Sequence, residues 1–323
     1  MNKMYGVDGM NKVFIDGEAG TTGLLFRDRI EGRRDIELLQ IDPAKRKDVV
    51  ERKRLLNAAD IVFLCLPDDA ALEAVSLIDN PDTSVIDGST AFRVADGWTY
   101  GFPELVTGHR EKVRASKRIS NPGCYPTGTI GLVRPLVDAG LLPKDFPLTV
   151  NAVSGYSGGG KGMIAEFEDP SVENYSAQAF RFYALTLAHK HVPEMQQYST
   201  LNHKPLFSPA VGRYKQGMLV EVPVQLWSLP TKVTPAMMRD ALAAAYEGER
   251  FVSVASAAET AAIGNIDPEG VNHTNQMKLF VFGNEATEQV RLVALLDNLG
   301  KGASGAAVQN MNILLGLDEG AGL

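Results

Sequence analysis

The segment Lys12-Val13-Phe14-Ile15-Asp16 runs directly into Gly17-Glu18-Ala19-Gly20-Thr21-Thr22-Gly23 and then into Leu24-Leu25-Phe26-Arg27-Asp28-Arg29-Ile30, which has helical spacing. A second apolar run follows at residues 36–41. Strand, glycine turn, helix and strand in this order form the opening of a dinucleotide-binding βαβ unit. The Gly-x-x-Gly-x-x-Gly spacing by itself fits a plain tight turn equally well. Its setting says more: with a strand before it and a helix after it, backbone N–H groups would face a pyrophosphate on the helix N-terminus. Gly17, Gly20, Thr21, Thr22 and Gly23 are the candidate cofactor-binding residues here.

The alternation continues with a helix ending at residues 55–59, a buried strand at 61–66, a helix at 70–78 and a strand at 84–87. Such a pattern predicts a parallel sheet covered by helices on both faces. From about Pro147 the pattern changes. Strand-like runs occur at 148–153, 219–227, 278–282 and 289–295, and the alternation of Val220, Val222 and Val224 suits a half-buried antiparallel sheet. A helix is expected at 235–246 and another at 304–317, whose stripe of Ala307, Met311, Leu314 and Leu315 would pack back on the first domain. The expected fold class is therefore α/β, a Rossmann-type dinucleotide-binding domain plus an α+β catalytic domain with a mostly antiparallel sheet.

Composition narrows the partners. A net charge of -7 argues against nucleic acid or an anionic membrane as the principal partner, because both reward a basic surface. No apolar stretch approaches the ~20 residues of a membrane span. Residues 1–11 lack the apolar core of a signal peptide and are expected to be a disposable leader. The two cysteines sit in dissimilar surroundings, so they do not make a disulfide framework, and a reducing, cytoplasmic setting is expected.

Those cysteines carry the chemistry. Cys65 lies in Ile61-Val62-Phe63-Leu64-Cys65-Leu66 and reads as a small buried hydrophobe in a strand. Cys124 lies in Asn121-Pro122-Gly123-Cys124-Tyr125-Pro126-Thr127, among turn formers, ahead of an apolar helical run that begins at Thr129. At a helix mouth it would face amides without intrahelical partners and the positive end of a helix dipole, which favour thiolate over thiol. In Ala188-His189-Lys190-His191-Val192-Pro193-Glu194 two of the five histidines lie close together. No further ligand cluster completes a metal site, so a histidine serving a cysteine as proton carrier suits them better. His109, His203 and His273 are expected to be surface or capping residues.

A second glycine cluster, Ser154-Gly155-Tyr156-Ser157-Gly158-Gly159-Gly160-Lys161-Gly162, follows a strand and offers either close backbone approach to an anion or a flexible loop. Gly162 after Lys161 breaks the register of a P-loop, which disfavours nucleoside triphosphate hydrolysis. Arg93, after the strand at 84–87, lies either in a surface salt bridge or on the ligand-binding edge of the sheet. A thiolate beside a dinucleotide fold points to one logic: an acyl group passes to sulfur, and hydride is exchanged with the bound carbon.

Together, the Asn121–Thr127, Gly17–Gly23, Ser154–Lys161 and Ala188–Glu194 motifs and Lys301-Gly-Ala-Ser-Gly-Ala-Ala-Val-Gln-Asn-Met-Asn312 resemble the N-acetyl-gamma-glutamyl-phosphate reductases of arginine biosynthesis. The likeness runs from about Lys12 to Leu317 and is strongest to the shorter, type 2 branch. Related aspartate-semialdehyde dehydrogenases share the architecture but differ around the cysteine. The resemblance implies NADPH-dependent reduction of N-acetyl-L-glutamyl 5-phosphate to the 5-semialdehyde with release of phosphate, without a metal. It implies Cys124 as nucleophile and His189 as general acid/base. Ser89, Arg93, Asn121, His191, Ser154 and Lys161 would hold substrate, and Ser157, Gly158 and Asn310 would join the first glycine turn in binding NADP. It also implies a homo-oligomer, dimer or tetramer. The implied domains are 1–123 with 300–323 for NADP binding, and 124–299 for catalysis and dimerisation.

Local sequence leaves the cofactor open. Asp42 closes the second strand, where an acidic residue binds a ribose 2′-OH, yet Lys45, Arg46 and Lys47 follow and suit a 2′-phosphate. Lys161 stands where the longer branch tends to carry arginine, keeping charge but losing the bidentate fork. Other readings are reduction of another acyl phosphate such as aspartyl phosphate, a dinucleotide sensor without turnover, or a cysteine hydrolase, which leaves the first glycine turn unexplained.

Overall fold

The computed structural model describes residues 10–323. Residues 1–9 of the expected leader lie outside that range, and Asn11 already belongs to the first strand. The chain divides into two compact units. One comprises the described residues up to Pro103, with Thr107–Pro122 and Ala303–Leu323; the other comprises Glu104–Val106 and Gly123–Gly302.

In the first unit, β1 (Asn11–Asp16), α1 (Thr21–Ile30), β2 (Ile36–Leu39), α2 (Val49–Ala58), β3 (Ile61–Leu64), α3 (Asp68–Ser76), β4 (Ser84–Asp87), β5 (Thr99–Tyr100), α4 (His109–Ala115) and β6 (Arg118–Ser120) follow in sequence. The six strands form a parallel sheet in the order β2-β1-β3-β4-β6-β5. Alternation along each strand explains why both faces are covered. Val13, Ile15, Ile61 and Phe63 enter one apolar cluster, whereas Phe14, Val62 and Leu64 enter the other. Burying each such side chain contributes roughly 1.5–3 kcal/mol, so a slip by one residue would invert every contact.

In the second unit, α5 (Cys124–Asp138), β7 (Thr149–Gly155), α6 (Gly160–Glu168), β8 (Phe180–Phe182), α7 (Val192–Tyr198), β9 (Leu206–Gly212), β10 (Met218–Gln225), α8 (Pro235–Ala245), β11 (Val252–Val254), α9 (Ala257–Ala262), β12 (Met277–Asn284) and β13 (Gln289–Leu296) surround a seven-stranded sheet. Its order is β11-β12-β13-β10-β7-β9-β8, with the β11–β12 and β7–β9 pairs parallel and the rest antiparallel. Val220, Val222 and Val224 are buried while Leu219, Glu221 and Pro223 between them are partly exposed. Helix α5 lies on this sheet at Gly128, where a Cβ would stand 2.7 Å from Val220 Cγ2. That close approach fixes the helix that begins with Cys124.

The last helix, α10 (Gly305–Leu315), returns to the first unit and puts Ala307, Val308, Met311 and Leu314 in the same cluster as Val13 and Ile15. Before it the chain makes a π-helical turn, Gly300–Ser304.

Two sequence expectations need correction. Cys65 lies just beyond β3, which ends at Leu64, and is half-buried against the cluster of Val13, Ile15 and Phe63, as a small hydrophobe should be, and its N–H still donates to Asp16 O at 2.8 Å. The strand stops because Pro67 caps α3. Burial, followed by the charges of Asp87 and Asp16, raises the Cys65 thiol well above its ordinary value, which suits an inert sulfur. His109 is buried rather than on the surface, with Nε2 at 2.7 Å from the carbonyl oxygen of Tyr100.

Candidate active site

Helix α5 begins one turn earlier than the apolar run suggests. Cys124 is its first residue, Gly123 its N-cap, and Pro126 lies in the first turn, where a missing N–H costs no helical bond. The first intrahelical bond runs from Thr127 N–H to Gly123 O at 3.0 Å. No acidic residue of the helix itself occupies the first turn. Cys124 is partly exposed.

The histidine segment closes on the same place. The imidazoles of His189 and His191 are 4.7 Å apart, and each lies about 6 Å from the ring of Tyr125, the residue after Cys124, at 6.0 and 5.9 Å. Phe207 and Tyr183 pack edge-on against His189 at 5.1 and 5.7 Å. Backbone N–H of His191 donates to Nδ1 of His189 at 3.1 Å. Nδ1 is therefore an acceptor, and the neutral ring carries its proton on Nε2.

Two phenols complete the wall. Tyr183 donates its hydroxyl to Tyr125 Oη at 2.9 Å. Burial raises both above the ordinary tyrosine value, and a negative Cys124 sulfur pushes both further the same way. Ser154 is buried, and its hydroxyl acts on Tyr125 in the opposite sense. Cys124, His189, His191 and Ser154 are thus brought around one tyrosine.

The second glycine cluster is ordered rather than loose. Its Ser157 is buried and accepts from Asn298 Nδ2 at 3.1 Å, whereas Gly158 and Lys161 are exposed. Helix α6 starts at Gly160 with no side-chain cap and no acidic residue in its first turn.

One residue near the sulfur escaped sequence reasoning. Glu194 is 1% exposed, and its Oε2 accepts the N–H of Gly123 at 3.2 Å. A carboxylate between the buried Val192 and Met195 was the available signal.

The first unit holds a separate group of candidates. Gly17 has φ +87°, and a Cβ there would stand 2.4 Å from Cys65 O. Gly20 N–H donates to Gly17 O at 3.0 Å, closing the turn. Helix α1 opens after it with no side-chain cap and no acidic residue in the first turn, and the buried Oγ1 of Thr21 has no hydrogen-bond partner. An uncapped helix start with an orphaned hydroxyl fits the pyrophosphate of a dinucleotide. Asn310 donates to Gly101 O at 2.8 Å and lies 3.5 Å from Asn121 Oδ1, and its own buried Oδ1 has no partner. An amide acceptor left in that state suits a carboxamide N–H.

At the end of β4, Ser89 donates to Asp87 Oδ2 at 2.6 Å and Arg93 Nη2 donates to Gly88 O at 3.1 Å. Arg93 is buried, so the surface salt-bridge reading does not hold. Burial lifts the Asp87 carboxyl to about 6, against the opposing hydrogen bonds of Ser89 and the charge of Arg93. Among the described residues no cluster of His, Cys, Asp and Glu has the makings of a metal site, and no helix is long and apolar enough to cross a membrane.

The family model described as semialdehyde dehydrogenase, dimerisation domain, matches residues 124–298, and that for the semialdehyde dehydrogenase NAD binding domain matches residues 15–115. N-acetyl-gamma-glutamyl-phosphate reductase 2 of a Nostoc species is 52% identical over 318 residues, covering 97% of this chain and 99% of its own length. The N-acetyl-gamma-glutamyl-phosphate reductase of Brucella anthropi is 53% identical over 306 residues, covering 94% of this chain and 98% of its own. Among solved structures, aspartate semialdehyde dehydrogenase II of Vibrio cholerae has the same fold, with a TM-score of 0.68 at 16% identity, covering 95% of this chain and 99% of that one.

Proposed function

We infer the course of the reaction from one premise: this chain belongs to the N-acetyl-gamma-glutamyl-phosphate reductase family. It reduces N-acetyl-L-glutamyl 5-phosphate to N-acetyl-L-glutamate 5-semialdehyde and releases phosphate, a step of arginine biosynthesis. The observation that carries this reading is the first residue of α5, a partly exposed cysteine with two imidazoles around the next ring.

Cys124 attacks the acyl carbon as thiolate; the carbon–sulfur bond forms and phosphate leaves. A bound nicotinamide would supply the hydride that reduces the resulting thioester. The thiohemiacetal then gives its hydroxyl proton to His189 as the carbon–sulfur bond breaks, returning the thiolate and freeing the aldehyde. His189 holds its proton on Nε2, because Nδ1 is occupied by the His191 N–H, and so donates to the acyl oxygen as negative charge builds there. His191 and Ser154 line the same wall and position the substrate. Lys161 of the same unit serves its phosphate.

The cofactor is NADP, held in the first unit by residues 17–23 and Asn310. Asp42 supports this choice over NAD: its Oδ1 accepts the N–H of Ala44 at 2.9 Å, capping a short turn, Pro43–Lys45. Lys45, Arg46 and Lys47 beside it are exposed. A carboxylate engaged in its own turn with three cations next to it suits a 2′-phosphate better than a bare ribose.

The enzyme works in the cytoplasm as a homo-oligomer. One face of the seven-stranded sheet is covered by α5 and α8, while the other opens on a cavity of about 930 Å³ lined by Val153, Phe180, Phe182, Leu219 and Phe282 among others. A second copy of this chain covers that face.

The test is the reverse reaction, with N-acetylglutamate 5-semialdehyde, phosphate and NADP or NAD in separate cuvettes. Reduction of NADP by the parent and none by Cys124→Ser, with NADP binding retained, is the expected result. Turnover by Cys124→Ser, or with aspartate semialdehyde alone, overturns the reading.

A further inference from the structure

Lys301 and Glu104 form an ion pair that is almost wholly withdrawn from water. Lys301 Nζ reaches both carboxylate oxygens, at 2.8 and 2.9 Å, and the two side chains are 1% and 0% exposed. The ammonium also stands 5.7 Å from the centre of the Phe251 ring. Stability does not account for such a pair. Taking two charges out of water costs several kcal/mol each, and well-packed hydrocarbon in their place is often neutral or stabilising. What an ion pair adds is direction: the two chain segments can meet in one register only.

The segment so fixed touches the sulfur's own residue. At Gly302, next in sequence, a Cβ would stand 2.8 Å from Cys124 Cβ and 3.2 Å from Cys124 Cα. The backbone of Gly302 is therefore in contact with Cys124, with no room for a methyl group between them. Lys301 lies in a π-helical turn, which has little stability of its own. Asp297 supports the turn from its other end. Its carbonyl accepts the N–H groups of Gly300 and Gly302, at 3.1 and 3.0 Å. Its carboxylate accepts from Leu299 N–H, Gln216 Nε2 and His273 N–H, at 2.8, 2.6 and 2.8 Å. Between these anchors, Lys301 is the side chain that reaches away from the turn to a remote part of the chain.

We propose that Lys301 and Glu104 are positioning residues for catalysis, clamping residues 300–302 against Cys124 so that its sulfur is held in the attacking orientation. The proposal rests on the reading of Cys124 as nucleophile. It assigns the pair a role in kcat rather than in substrate or cofactor affinity, since a small misplacement of a reacting atom costs about 100-fold in rate.

The decisive variant is Lys301→Met with Glu104→Leu, which removes both buried charges at once. It is read by Tm, by kcat and KM in the reverse reaction, and by the pH profile of Cys124 alkylation with iodoacetamide. The expected result is a Tm close to the parent's, kcat lower by about 10- to 100-fold with both KM values within about twofold, and an altered alkylation profile. Parental kcat and alkylation in the double variant overturn the proposal. If the double variant does not fold, Gly302→Ala decides, because it leaves the ion pair intact and forces the contact with Cys124. A matching fall in kcat supports the clamp, and parental kcat overturns it. Cys124→Ser separates the two readings: turnover by that variant removes the nucleophile assignment and the clamp with it. An inactive Cys124→Ser beside a fully active double variant removes the clamp alone.

Discussion

The backbone N–H of Gly123 donates to Oε2 of Glu194 at 3.2 Å, tying the N-cap of the cysteine's helix to the segment that carries both histidines. This buried carboxylate adds a hydrogen bond to the ring contacts of Tyr125 with both imidazoles. Glu194→Ala leaves a buried amide unsatisfied, which costs about 1–3 kcal/mol. We expect a lower Tm and a fall in kcat of at least about tenfold, with Glu194→Gln close to the parent in both because it keeps an acceptor oxygen. Thermal denaturation alongside steady-state kinetics of the two variants checks this; equal damage in both would mean that the charge, not the acceptor, matters.

His189 offers a proton on Nε2 because Nδ1 accepts the His191 N–H. His189→Ala should lower kcat by about 10²- to 10⁴-fold, the range for loss of a positioned acid or base, while thiol alkylation of Cys124 continues. His191→Asn preserves the backbone donor and should weaken substrate binding more than turnover. Reversal of this kcat and KM pattern between the two variants would exchange their roles.

How much of this was legible beforehand depends on the range of the interaction. Strands such as β1 and β3 announce themselves because alternate residues must enter opposite cores, and Cys124 stands out by its flanking Pro and Gly. Residues 189–194 were visible as a motif, but its glutamate had no stated role. Its partner Gly123 is 71 positions away, and Glu104 is 197 positions from Lys301, so no local pattern records either pairing. Cys124 at the mouth of α5 is legible from its flanking turn formers, whereas the burial of residues 125–128 is set by packing that the apolar run from Thr129 does not record.

Asp87 gives the fold a measurable pH dependence. Burial raises its carboxyl from the model-compound 3.8 to about 6, so between these values the folded chain binds more proton than the unfolded one. Stability from this group is therefore greatest below about pH 4, declines as pH rises to about 6, and is constant above, with a total loss of order 3 kcal/mol. Asp87→Asn removes the cost and keeps an acceptor for Ser89. The variant should gain Tm over the parent at pH 8, with the gain vanishing near pH 4; a gain that is the same at both pH values would show that Asp87 is not the titrating group.

Replacing Lys45, Arg46 and Lys47 together with serine should lower kcat/KM for NADP by about 10- to 100-fold, as several charge-assisted contacts to one phosphate are lost. The value for NAD should stay near the parent's, since these side chains are exposed and Asp42 remains engaged with Ala44. Measuring both nucleotides with each protein gives the ratio directly. An equal fall with both would locate the damage in the β2–α2 connection rather than in phosphate recognition.

The open face of the seven-stranded sheet supplies the last test. Phe180 and Phe182 on its edge strand are 51% and 59% exposed, and Phe282 lines the same cavity. Apolar area of this kind is stable in water when a partner covers it, and the family model that matches residues 124–298 is described as a dimerisation domain. In a symmetric contact each substitution acts twice, so one charge per protomer places two in the interface. Phe180→Glu with Phe182→Glu should therefore sediment as a monomer at concentrations where the parent is associated. Because both rings are more than half exposed on an edge strand, circular dichroism should be unchanged. A variant that stays associated would place the contact elsewhere on the chain, and a parent that sediments as a monomer would overturn the homo-oligomer.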